Sequence, residues 1–310
     1  MDYLFALQTI RESAPEFINL IFVIISEYFI VLSFIVPAVI YWNIDKSAGA
    51  TIIVGYGLSY ELNQTIKNFA CVYRPWILDS RLHIDPHGVK SATGYSFPSG
   101  HTTTAASVYG GISIWQKKRT WVVVLMSFLV LMTAFARNWL GAHTLKDVLW
   151  AVLLVGIWLC IINFLKYWLL KNPARDTVLC FGGIAISVIL LIVVSVKSYP
   201  VDYAADGSIL VNPYDMLTDC YSGFGNFTGI LLGWWLQRHF LNFSTQVSAK
   251  AKILRTVTGA LVCLLIYLTF GKIFAFTGAH ISHLIKYFTI FFYILYLHPL
   301  FFTKVMEKGN

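Results

Sequence analysis

Three short stretches of this 310-residue chain carry the side chains that an anion-handling site needs. Lys67 leads to Arg74-Pro75 in the spacing K-x6-R-P, Pro98-Ser99-Gly100-His101 follows, and Arg137, His143 and Asp147 complete the set as R-x5-H-x3-D. A phosphate monoester dianion requires fixed positive charge, donors for its nonbridging oxygens, a nucleophile in line with the leaving oxygen and an acid to protonate that oxygen. Lys67 offers a compact charge, and Arg74 and Arg137 offer planar forks that grip two oxygens at once. Ser99, Gly100 and His101 fall where a loop is expected to enter a helix, so backbone N–H groups and the helix dipole point at an anion, with Gly100 permitting close approach. His143 and Asp147 are four residues apart on one helical face. A carboxylate there can bond one ring nitrogen, fix the tautomer and leave the other nitrogen free to attack phosphorus.

The elements that must position these residues follow from composition. The chain is 57% hydrophobic and 12% charged, against roughly a quarter charged in a soluble domain. The expected fold is all-α, a polytopic membrane helical bundle. A run of about 20 apolar residues crosses the hydrocarbon as a helix, and nine candidates fall near 17–42, 49–66, 99–116, 120–137, 148–170, 178–197, 220–236, 256–276 and 283–303. The runs at 49–66 and 99–116 are short and carry polar residues. Thr102–Thr104, Ala105, Ala106, Ser107, Gly110 and Gly111 give the third run a small-residue face on which neighbouring helices can press. Leu4, Phe5, Leu7 and Ile10 share one helical face, which leaves residues 2–12 either lying along the membrane surface or frayed. A charged stretch at 171–177 is expected to divide a catalytic membrane core, 1–170, from additional transmembrane helices of unassigned role, 171–310.

With nine spans the loops fall into two sets. The set holding the motifs carries ten Lys and Arg, three of them motif residues, and the other set carries thirteen, clustered in short loops at Lys117-Lys118-Arg119, Lys166, Lys171 and Arg175, Arg238 to Arg255, and Lys304 and Lys308. The positive-inside bias then puts the C-terminus in the cytoplasm and the motifs on the extracytoplasmic side of a cell membrane. Asp202, Asp206, Asp215 and Asp219 in one motif-side loop agree. The net charge of +8 therefore reads as membrane orientation; no basic stripe interleaved with aromatics marks a nucleic-acid partner.

The three motifs together resemble the signature of the type-2 phosphatidic acid phosphatase superfamily, which includes lipid phosphatases, glucose-6-phosphatase and vanadium haloperoxidases. The resemblance covers about residues 50–165. It implies that His143 is the nucleophile, forming a phosphohistidine, that Asp147 orients it, that His101 protonates the leaving group, and that Lys67, Arg74, Ser99, Gly100 and Arg137 bind phosphate. It implies no metal and no cofactor. One departure is visible: Ala136 stands where the family usually has Ser before the third-motif Arg. The activity implied is hydrolysis of a lipid phosphomonoester or diphosphate, such as a polyprenyl diphosphate, phosphatidate, phosphatidylglycerophosphate or sphingoid phosphate, with membrane lipids as surroundings. A phosphotransferase using the same intermediate and a sugar phosphatase like glucose-6-phosphatase are the enzymatic alternatives. A transporter or scaffold on an inactive fold is the non-enzymatic one.

Other polar residues have plainer readings. Arg81, His83, His87 and Lys90 belong to a solvated 76–97 loop, and Glu27 and Glu61, inside apolar runs, are expected to face the interior with a partner. Cys71, Cys160, Cys180, Cys220 and Cys263 have no metal-ligand spacing.

Overall fold

Apolar runs become helices because in hydrocarbon every backbone polar group must be satisfied within its own segment. The computed structural model describes every residue except 90, 170, 171, 173 and 307–310. Lys90, Lys171 and Lys308, three of the loop charges counted for orientation, lie outside the described residues, as does part of the expected 171–177 boundary. The helices are α1 (Asp2–Ser13), α2 (Glu16–Asn43), α3 (Lys46–Ala70), the short α4 (Pro75–Leu78) and α5 (Pro86–Val89), α6 (Gly100–Trp115), α7 (Thr120–Trp139), α8 (Leu145–Leu169), α9 (Ala174–Val196), α10 (Pro213–Phe240), α11 (Ala249–Ile273) and α12 (Ala279–Phe292), which continues as helix to Met306. No strand forms among the described residues.

Among the described residues five helical segments are long and apolar enough to cross a membrane: α7, α8, α9, α11 and Ala279–Val305; α2, bent by 43° between Tyr28 and Val31, makes a sixth if taken as one span. The count of about nine is therefore approximate. The expected runs 49–66, 99–116 and 220–236 do lie in helices, α3, α6 and α10. They fall short for a physical reason, since their polar residues are buried against protein: Ser59, Glu61, Asn63, Gln64, Lys67 and Asn68 in α3, Thr102, Thr103, Thr104 and Ser107 in α6, and Thr218, Ser222, Asn226 and Thr228 in α10. The outward faces are the reverse of a soluble protein's. Trp121, Val124, Phe128 and Leu131 on α7, and Ile186, Ile189 and Ile192 on α9, are exposed apolar side chains that suit lipid.

One compact unit comprises residues 1–34, 62–159 and 197–216, and the other 35–61, 160–196 and 217–310. The division falls within α2, α3 and α8, because a long helix packs on different neighbours along its length. Within the first unit α1 is a formed helix with Leu4 and Arg11 buried, not a frayed segment. Arg11 donates to the carbonyls of Trp139 and His83, and Gln8 accepts from the His83 amide at 2.8 Å. In the second unit the Ser187 hydroxyl donates to Glu61 at 2.9 Å, the partner expected for an interior carboxylate.

Candidate active site

All eight candidate residues lie in the first unit. The third motif forms a helix–turn–helix corner: Arg137 ends α7, the turn 140–144 carries His143, and Asp147 sits in the first turn of α8. The turn winds back on the helix it leaves, with the amides of Ala142 and His143 donating to the Arg137 carbonyl at 3.0 and 3.3 Å and Asn138 Nδ2 donating to the His143 carbonyl at 3.0 Å. This reversal needs Gly141, whose φ is +73°. Asp147 Oδ2 accepts from the Thr144 amide at 2.7 Å and the Ser96 hydroxyl at 2.6 Å, and lies 3.6 Å from His143 Nδ1.

The second motif is tied to the third through its backbone, the Ser99 amide donating to the Asp147 carbonyl at 3.1 Å. Ser99 is the N-cap of α6, its hydroxyl oxygen accepting from Thr102 Oγ1 at 3.0 Å and from the Thr102 amide at 3.4 Å. Gly100 and His101 open the helix, where backbone N–H groups have no intrahelical acceptor. Asn63 fastens this loop to α3 by donating to Thr103 Oγ1 at 2.9 Å and the Pro98 carbonyl at 3.3 Å. One helical turn further along α3, Lys67 brings its ammonium beside Gly100: a Cβ added to Gly100 would stand 3.9 Å from Lys67 Nζ.

Arg74 holds the site together. Its Nε donates to the Gly94 carbonyl at 2.9 Å, Nη2 to the Thr93 carbonyl at 2.8 Å, and Nη1 to the Ala142 carbonyl at 2.9 Å and to His143 Nε2 at 2.8 Å. Gly94 has φ +64°, and a Cβ there would come within 2.4 Å of the Met216 sulfur, so only glycine lets this backbone close on Arg74. A guanidinium only donates. Nε2 of His143 must therefore be the unprotonated, lone-pair nitrogen, and the ring proton sits on Nδ1, facing Ser96 and Asp147. Burial, then Arg74, Arg137, Lys67 and His101, hold the His143 pKa well below the ordinary histidine value. Burial and Arg137 lower that of Arg74 to about 9, which keeps it cationic at neutral pH.

Arg137 is fully buried. Its Nη1 donates to Ser26 Oγ at 2.7 Å, Glu27 Oε1 at 3.1 Å and Ser91 Oγ at 3.1 Å. Its Nε and Nη2 have no hydrogen-bond partner among the described residues. Buried guanidinium N–H groups are costly to leave unpaired, and an anion with several oxygens satisfies both.

Glu27 belongs to this site in a way that motif reading did not reveal. Its carboxylate accepts from Ser91 Oγ at 2.7 Å and Ser26 Oγ at 3.0 Å, pairs with Arg137, and lies 3.8 Å from His101 Nε2. The available signal was a carboxylate within an apolar run of a chain expected to bury three cations. Ser26, Asn63, Ser91 and Ser96 are the other supporting side chains outside the motifs. Of the 76–97 loop residues, Arg81 pairs locally with Asp79 at 2.7 Å and His87 lies 3.1 Å from Asp85, while His83 lies 3.5 Å from Glu12 on α1. The five cysteines are free thiols.

A family model described as the PAP2 superfamily matches residues 48–172, a span that contains all eight candidate residues. A second, described as the transmembrane extension of PAP2 superfamily phosphatases, matches residues 221–309, where the sequence shows no motif. No curated protein and no solved structure matches the chain. The chain thus belongs to the PAP2 superfamily, as a membrane phosphatase that carries the superfamily's transmembrane extension.

Proposed function

We propose that this membrane phosphatase hydrolyses a phosphomonoester or diphosphate of a lipid through a phosphohistidine at His143, without a metal ion, on the extracytoplasmic side. The observation that carries the reading is the buried His143 ring, its Nε2 2.8 Å from the Arg74 guanidinium and its charge environment set by Arg74, Arg137 and Lys67. Phosphate oxygens take hydrogen bonds from Arg74, from Arg137 Nε and Nη2, and from the amides that open α6, and Lys67 adds its charge beside Gly100. The Nε2 lone pair attacks phosphorus as the bond to the leaving oxygen breaks, and His101 gives that oxygen a proton. Water then attacks the N–P bond, His101 takes a proton from it, and His143 leaves as the neutral ring. Asp147, with Ser96, keeps the ring proton on Nδ1 throughout. A lipid substrate is favoured because the reaction centre belongs to a chain with extensive lipid-facing surface.

Two variants test the assignment of roles. His143→Ala removes the nucleophile, so turnover of every ester falls to background. His101→Ala removes only the proton donor, so p-nitrophenyl phosphate, whose leaving group needs little protonation, loses far less activity than an alkyl phosphate. Substantial activity in His143→Ala, with His101→Ala dead on both esters, overturns the assignment. Release of inorganic phosphate without an acceptor alcohol separates hydrolysis from phosphotransfer. For sidedness, an impermeant probe on intact cells reaches a tag in the 198–219 loop and misses one at residue 310. The opposite labelling moves the site to the cytoplasm.

A further inference from the structure

The second unit contains a cavity of about 640 Å³ that shares no residue with the phosphate site. Its lining is graded along its length. On α3 a single helical stripe runs from Lys46 through Ala50 and Val54 to Leu58, and on α10 the wall runs from Arg238 back through Trp234 and Leu231 to Phe227. Both helices therefore pass from basic to wholly apolar. The twelve residue steps from Lys46 to Leu58 rise about 18 Å, close to the roughly 15 Å that one leaflet contributes to a hydrocarbon core of about 30 Å.

The basic end has charge to spare. Lys46, Lys166, Arg238 and His239 line it. Arg238 is neutralised by the buried Asp176 at 2.6 Å. Among the described residues Lys46 Nζ meets neutral groups, donating to Asn242 Oδ1 at 3.3 Å and the Phe243 carbonyl at 3.5 Å and lying 5.0 Å from the Phe243 ring centre. Lys166, half-buried, has no hydrogen-bond or ion-pair partner among the described residues. Two uncompensated ammonium groups at the mouth of an apolar slot one leaflet deep match a ligand with an anionic head and a hydrocarbon tail.

We propose that this cavity is a binding site for one anionic membrane lipid, its headgroup on Lys46 and Lys166 and an acyl chain along Val54, Leu58 and Phe227. A bound lipid of this kind ties α3, α8, α9 and α10 together within the unit, which stabilises the arrangement by mass action.

The test uses the full chain in detergent, delipidated and titrated with phosphatidylglycerol or phosphatidylcholine, with bound lipid counted by native mass spectrometry. Wild type takes up one phosphatidylglycerol in preference to phosphatidylcholine and melts at a higher temperature with it. Lys46→Gln and Lys166→Gln each weaken phosphatidylglycerol binding about fivefold, and together about thirtyfold, while phosphatidylcholine binding is unchanged. Val54→Trp, which fills the slot, weakens both lipids. Inorganic phosphate at millimolar concentration leaves the lipid bound. Equal uptake of the two lipids by wild type, undiminished phosphatidylglycerol binding in the double lysine variant, or displacement by inorganic phosphate overturns the proposal.

Discussion

Arg137→Lys separates binding of an anion from support of the fold. In the ligand-free protein Nη1 alone makes hydrogen bonds, to Ser26, Glu27 and Ser91, while Nε and Nη2 are buried without partners. A lysine ammonium can replace the Nη1 contacts and keep the charge beside Glu27. It cannot present a second edge to phosphate. The two missing charge-assisted hydrogen bonds are worth about 1.5–3 kcal/mol each. Together they lower kcat/KM by about 10²- to 10⁴-fold. Stability should change little, because the ammonium keeps the Nη1 contacts to Ser26, Glu27 and Ser91 and the charge beside Glu27. The assay is phosphate release from a lipid phosphate in mixed micelles, paired with thermal unfolding with and without vanadate, whose adducts mimic the in-line transition state. The variant loses the activity and the vanadate-induced rise in Tm while its ligand-free Tm stays close to that of wild type. Less than a tenfold loss of activity, or a ligand-free Tm that collapses along with it, refutes the reasoning and makes Arg137 structural.

Activity survives excess EDTA, because the anion contacts come from Lys67, Arg74 and Arg137; complete loss restored by Mg²⁺ counts against the proposed chemistry. The pKa of His143 is depressed in the folded state, so the unfolded chain binds the extra proton first and stability falls as pH drops below the unfolded value of about 6.5, by at most about 1.4 kcal/mol per pH unit. The decline in Tm between pH 7 and pH 5 is therefore smaller in His143→Gln than in wild type, and an equal decline shows that His143 is not held neutral. Gly141→Ala places a β-carbon at φ +73°, 3.1 Å from the His83 carbonyl and 3.2 Å from Arg11 Nη1; it destabilises by about 1–2 kcal/mol. Gly156→Ala, in open space on α8, leaves the Tm unchanged or raises it.

The motif residues stand out in the sequence because phosphate chemistry favours particular residue types: guanidinium and ammonium groups for the oxygens, and an imidazole to attack or to carry a proton. The residues that hold them do not. Asn63, Ser91 and Ser96 act through hydrogen bonds between segments far apart in sequence, and Asn or Ser at such positions has no periodicity to betray it. Hydropathy found the helices whose outer faces meet lipid, α7, α8, α9, α11 and α12. It was a poor guide to α3, α6 and α10, where buried polar residues such as Asn63, Thr102 and Asn226 dilute the signal. α2, α3 and α8 each belong to both compact units, a division that no single stretch of the sequence marks.

Glu27 changes how the two histidines are to be understood. Each has a carboxylate close by, Asp147 at 3.6 Å from His143 and Glu27 at 3.8 Å from His101, so the presence of an acidic neighbour does not tell nucleophile from acid. What faces Nε2 does. On His143 that nitrogen receives an N–H from Arg74 and must present a lone pair, with Asp147 on the Nδ1 side. On His101 the same nitrogen faces the Glu27 carboxylate, an acceptor, which favours a proton there. Two chemically identical side chains thus face different groups at Nε2, an arginine donor on His143 and a glutamate acceptor on His101. The sorting depends on an arginine from the first motif and a glutamate from outside all three, which is why spacing within the motifs could not supply it.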